Sequence, residues 1–196
     1  MRIVMLYPFD LYKPESPGVD RIIAHATKLV HQRNEVRLIY YYDPSTPEVE
    51  GVERSDRFLF TTIPYVKYHR TLFSKIRNIT SLAHSADIIY VQTCLPDIAL
   101  PAIFAGFAAR RPVHLDLVGH GDGGQYSEKF LTTMRNGLLK LVDTVSVADA
   151  QTRSLVLARG FREFKVFTIA ENSFDKDDAS EFPLNRAFAL LLGDAS

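Results

Sequence analysis

Short β-branched and aliphatic runs alternate with segments of helical periodicity along nearly the whole chain, and that alternation leaves few folds open. Strands are expected at residues 2–7, 36–42, 58–63, 87–93, 113–118, 144–148 and 166–170, the third closed by Pro64. Helices are expected between them: one capped by Ser16 with Pro17 at its first position and Asp20 in its first turn, then 65–85, 96–109, about 127–141 and 150–159. Gly160 stands where a left-handed residue would end the last of these. Strand, helix, strand in steady succession means right-handed crossovers, hence a Rossmann-like α/β parallel sheet with helices on both faces.

A chain of 196 residues, 46% of them hydrophobic, is long enough for one large domain, or for one domain and the beginning of another. Acids and bases balance to a net charge of zero, which argues against a nucleic-acid binder. The single cysteine, Cys94, allows no internal disulfide and suits a reducing, cytoplasmic setting. The apolar opening is too short for a signal peptide, and residues 99–109 make only about half a membrane span.

The stretch 112–124, Pro-Val-His-Leu-Asp-Leu-Val-Gly-His-Gly-Asp-Gly-Gly, delivers a buried strand into a glycine-rich loop, the place where parallel sheets collect ligands. His120 is the candidate catalytic residue there, since imidazole changes charge near neutral pH and donates from either nitrogen; a histidine that only closes the loop is the bland alternative. Gly119 and Gly121 give the loop its freedom, and Asp122, Gln125 and Tyr126 could bond hydroxyls of a ligand. Gly18, at a helix mouth beside Pro17, could admit a diphosphate to backbone amides or be an ordinary turn glycine. Residues 119–124 also fit Gly-x-Gly-x-x-Gly, but they follow the fifth strand instead of the first, and Asp143 precedes its strand.

From Phe58 to Ser85 there is no acid, while Lys67, Arg70, Lys75 and Arg77 interleave with aromatics, a pattern suited to an anionic membrane surface or to a solvated helix face. His25, His31, His69, His84 and His114 show no metal-ligand spacing, so no metal and no cofactor are expected. Neither a Gly-x-Ser-x-Gly elbow nor a Walker loop is present.

Taken together, Pro17-Gly-Val-Asp-Arg21, the run from Ser85 to Gln92, the strand ending at His120, the segment from Leu141 to Val147 with Gly160 and Lys165–Ile169, and Asn172-Ser-Phe-Asp175 resemble the N-terminal, acceptor-side domain of GT-B glycosyltransferases, in particular the large retaining family 4-like group. The resemblance implies an enzyme that moves a sugar from a nucleotide-sugar donor to a glycan or lipid-linked acceptor, with His120 in the active site and Gly18 and Pro17 near the donor phosphates. It implies a domain at 1–172, a linker at 173–185, and at 186–196 the first strand of a C-terminal domain or a tail, with the donor site mostly in that further domain or in a partner chain. The chain alone is then expected to be inactive. A non-catalytic binding or scaffolding module and a Rossmann dinucleotide oxidoreductase are the alternatives. Peripheral contact with the inner membrane face is expected through Lys67, Arg70, Lys75 and Arg77.

Overall fold

Seven parallel strands form one sheet in the computed structural model, which describes residues 1–12, 15–16, 18–42, 59–66, 72–92, 96–117, 137, 140–147, 150–158, 160–169, 187–188 and 191–192. The strands are β1 (Arg2–Tyr7), β2 (Glu35–Tyr42), β3 (Thr61–Val66), β4 (Ile88–Val91), β5 (Val113–Leu117), β6 (Thr144–Val147) and β7 (Val166–Thr168). The helices are α1 (Val19–His31), α2 (Leu72–Ala83), α3 (Pro96–Ala109) and α4 (Ala150–Ala158). The strand order is β3-β2-β1-β4-β5-β6-β7, so the chain winds outward from β1, returns, and winds out the other way. The direction reverses between β1 and β4, which opens a crevice at their carboxyl ends.

Strand pleating sorts side chains between two cores. Val4, Leu6, Ile89, Val91, Leu115 and Val145 pack with Ile79 of α2, Ala99 and Ala102 of α3, and Val156 of α4. The other face sets Ile3, Met5, Tyr7, Leu38, Tyr40, Ile88 and Tyr90 against Ile22, Ala26 and Leu29 of α1. Two aspartates start strands by the same device. The backbone N–H of Asp87 donates to Arg2 O (2.7 Å) and its Oδ2 accepts the Arg2 N–H (2.7 Å). The N–H of Asp143 donates to Val113 O (3.0 Å) and its Oδ2 accepts the Val113 N–H (2.8 Å). The bond from the Arg2 amide, set against the raising effect of partial burial, holds the Asp87 carboxyl below its ordinary range.

Three local expectations need correction. The third strand is Thr61–Val66, not 58–63, and Pro64 lies within it, paired in register with Tyr40. It is an edge strand with a ladder on one side only, where a missing N–H is tolerated. The following helix accordingly starts at Leu72 instead of 65. The cap of α1 is Gly18 in the left-handed region (φ 71°), while the Ser16 hydroxyl turns away and donates to Asp10 O at 2.7 Å. Last, residues 187–188 and 191–192 are helical, not a strand. That run is made of Ala, Phe and Leu without a β-branched residue, so propensity favours the helix. Ala187 and Phe188 are buried in the α1-side core. Gly160 does take the left-handed conformation expected of it (φ 84°).

Candidate functional site

The crevice is assembled from the ends of β1 and β4 and the start of α1. Gln92, one residue past β4, donates its backbone N–H to Leu6 O (3.1 Å) and is itself fully buried. Its side-chain Nε2 donates to Gly18 O at 3.4 Å, and the same carbonyl accepts the Ile22 N–H at 3.1 Å. Gln92 Oε1 has no hydrogen-bond partner among the described residues. Gly18 therefore locks the mouth of α1 against the sheet, where the first-turn amides and the helix dipole favour an anion. Ser16 O accepts the Val19 N–H (3.2 Å), and Asp10 Oδ1 accepts the Tyr12 N–H (3.0 Å), which ties the loop after β1 into the same rim. Burial keeps the Tyr7 phenol beneath this loop protonated, against the lowering effect of its bond with Ser16.

Directly below lies a buried polar hub centred on Asp116. Its carboxylate accepts Arg21 Nε and Nη2 (3.3 Å each), the Tyr90 hydroxyl (2.6 Å) and the Ser146 hydroxyl (2.6 Å). Because Tyr90 and Ser146 spend their protons on Asp116, their oxygens must accept from elsewhere. That fixes His25 as the Nδ1–H tautomer donating to Tyr90 (2.7 Å), and His114 as the Nε2–H tautomer donating to Ser146 (3.1 Å). His114 Nδ1 then accepts the Thr144 hydroxyl at 2.8 Å. Tyr90 stacks on His114 with ring centroids 5.3 Å apart, and Phe188 meets His114 edge-on at 5.7 Å.

Both histidines are neutral in this arrangement. Burial pulls His25 down to about 3 and His114 down to about 4, and the nearby Asp116 only partly opposes it. Burial alone would raise Asp116, yet Arg21 and the Ser146 and Tyr90 hydroxyls together hold it below the ordinary carboxylate range. One anion and one guanidinium thus neutralise each other, and α1, β4, β5 and β6 are cross-braced. Arg21 Nη1 extends the brace to Ile169 O, just past β7, at 3.5 Å.

Of the residues expected in the site, the structure places Gly18 on the rim. Pro17, Gly119, His120, Gly121, Asp122, Gln125 and Tyr126 lie outside the described residues, as do Lys67 and Arg70. Lys75 and Arg77 sit on α2, across the sheet from α1. Arg77 is exposed, whereas Lys75 is half-buried and rests its Nζ 5.9 Å over the Tyr41 ring. Among the described residues no group of three or more His, Cys, Asp or Glu could hold a metal ion, and no helix is long and apolar enough to cross a membrane.

The hub itself escaped the sequence reading. A signal was there: His114 and Asp116, like Thr144 and Ser146, are two apart on adjacent strands, so all four share one face. A carboxylate in the middle of a buried strand requires partners.

No protein-family model and no curated protein matches the chain. Solved structures do. The HepE protein of Anabaena in complex with UDP-glucose superposes with a TM-score of 0.59 at 16% identity, over 87% of this chain and 43% of that one. The UDP-GlcNAc 2-epimerase of Neisseria meningitidis bound to UDP-GlcNAc gives 0.56 at 15% identity, over 86% of this chain and 46% of that one. The UDP-GlcNAc 2-epimerase of Methanocaldococcus jannaschii gives 0.56 at 13% identity, over 86% and 45%. At these identities the likeness carries the fold: the Rossmann-like half of a GT-B architecture, in a chain that spans less than half the length of the structures it matches.

Proposed function

We propose that this chain is the acceptor-side half of an enzyme that acts on a nucleotide-sugar, and that the reaction is glycosyl transfer to a glycan or lipid-linked acceptor. The observation that carries the reading is the rim: a left-handed Gly18 opens α1 at the strand-order reversal, and the buried Gln92 at the end of β4 bonds its carbonyl. A diphosphate suits the amide end of α1, and a fold of this kind holds UDP-glucose in HepE. His120, in the segment that follows β5, would meet the sugar, and a C-terminal domain or partner chain would complete the donor site. Retaining transfer of this type relies on positioning and on stabilising the charge that develops between sugar and leaving phosphate. It requires no metal or cofactor from this chain.

A second reading, epimerisation of the sugar on its nucleotide, is favoured by the likeness to the Neisseria and Methanocaldococcus 2-epimerases. Both readings share the ligand class. Saturation-transfer NMR on the full chain with UDP-glucose, UDP-GlcNAc and NADH tests it. The UDP-sugars are expected to receive saturation and NADH is not; saturation of NADH alone would transfer the site to the oxidoreductase reading. Where turnover is found, release of UDP with a new glycoside supports transfer, and a C2 epimer with no free UDP supports the second reading.

A further inference from the structure

The outward side of α3 is unusual for a surface helix. Its buried residues face the sheet, and from Ile98 to Ala109 the side chains left to solvent are Phe104, Phe107 and Ala108, all apolar, with Leu100 half-buried against the core. Phe104 is 48% exposed and Phe107 82%. A helix that is apolar all round normally has something against every side. Beside it α2 adds Phe73, 83% exposed, and the exposed Arg77. At the C-terminal end of α3 a cavity of about 440 Å³ is lined by Ile103, Phe107, Arg110, Arg111, Leu141 and Asp143, among others. Arg110 is exposed. Arg111 spends one N–H on His84 O (3.3 Å), which fastens the ends of α2 and α3 together, and its Nε has no bond among the described residues. The Asp143 carboxylate already accepts the Val113 N–H.

We infer that the α3 face, with Arg110 and Arg111 at its end and Phe73 and Arg77 alongside, is a docking surface for a bilayer containing anionic phospholipid. Charge decides the occupant. No acid occurs from residue 72 to 86 or from 98 to 115, and the one carboxylate in the cavity lining, Asp143, is held by the Val113 N–H, so the cations Arg77, Arg110 and Arg111 outnumber it. A second copy pairing through the same face would set these cations against each other. An anionic interface instead takes the phenylalanines among its acyl chains and the guanidiniums among its phosphates. This moves the membrane contact from Lys75, which leans on Tyr41, to α3.

The test is co-sedimentation of the full chain with vesicles of phosphatidylcholine alone and of phosphatidylcholine mixed with phosphatidylglycerol. Binding is expected to the mixed vesicles only, and to fall with added salt. Arg110→Gln should weaken it about fivefold. Phe104→Ser combined with Phe107→Ser should abolish it while circular dichroism stays unchanged, since both side chains are exposed. Equal binding by these variants, or none by the parent chain, overturns the inference. A parent chain that is dimeric in solution and becomes monomeric with Phe107→Ser also overturns it, in favour of a second copy. The surface lies away from the Gly18 rim, so its failure would leave the nucleotide-sugar reading standing.

Discussion

On the side covered by α2, α3 and α4, strands β4, β5 and β6 present Ile89, Val91, Val113, Leu115, Leu117, Val145 and Val147. One residue along, the same strands present Tyr90, His114, Asp116, Thr144 and Ser146 toward α1, and every one of these is fully buried. Aliphatic packing is non-directional: it holds layers together and leaves each helix some freedom to slide. Hydrogen bonds fix angles and register. Arg21 and His25, one turn apart on α1, can meet Asp116 and Tyr90 in one setting of that helix only, and this setting places Gly18 against Gln92 on the rim. The difference teaches that the polar groups toward α1 fix that helix and the rim it carries, while the purely aliphatic face holds its helices by burial alone.

The sharpest way to break this asymmetry is Asp116→Ala. It strands the buried Arg21 guanidinium and should cost about 3–5 kcal/mol, read from chemical denaturation. Amide exchange should accelerate in α1 beyond the global effect. Leu115→Ala, the neighbouring residue on the other face, should cost about 2–5 kcal/mol without singling out α1.

Acid separates the faces next. His25 and His114 have folded pKa values of about 3 and about 4, below the ordinary value of 6.5, so below pH 6.5 the unfolded chain binds more protons than the folded one. Stability should therefore fall as pH drops from about 6.5 toward 4, with a slope of about 1.4 kcal/mol per pH unit for each histidine. Asp116, depressed in the fold, adds its own loss below its unfolded value of 3.8. Denaturant midpoints across this range check it; a flat profile would mean that the histidines are protonated inside the fold.

The aliphatic face also holds a close approach. A Cβ at Gly106 would collide with the Val113 side chain and lie 2.9 Å from Arg111 O, so Gly106→Ala should destabilise by about 1–3 kcal/mol, seen as a lowered melting temperature.

Much of this architecture was legible in the residues. Apolar runs bounded by Pro, Gly and Asp located six of the seven strands and the first half of β3, and their alternation with helices fixed the parallel sheet. Pro64 misled because local punctuation does not reveal that a strand lies at an edge. Ser16 misled because a side-chain cap and a loop bond to Asp10 use the same hydroxyl. The segment 187–192 misled because a short apolar run carries no period. The hub was hidden for another reason: Arg21 and Asp116, its two charges, are separated by 95 residues, and only the strand order brings the members together. Gly18 was legible as a candidate and is found on the rim; the segment bearing His120 lies outside the described residues.

The central claim is that the rim between β1, β4 and α1 receives the diphosphate of a nucleotide-sugar. Amide-resolved NMR of the isotopically labelled chain during titration with UDP-glucose tests it most directly. The account predicts that the largest shifts fall on Gly18, Val19, Asp20 and Gln92, and that β3 and α2 stay still. Shifts confined to α2 and α3, or none at saturating ligand, would contradict it.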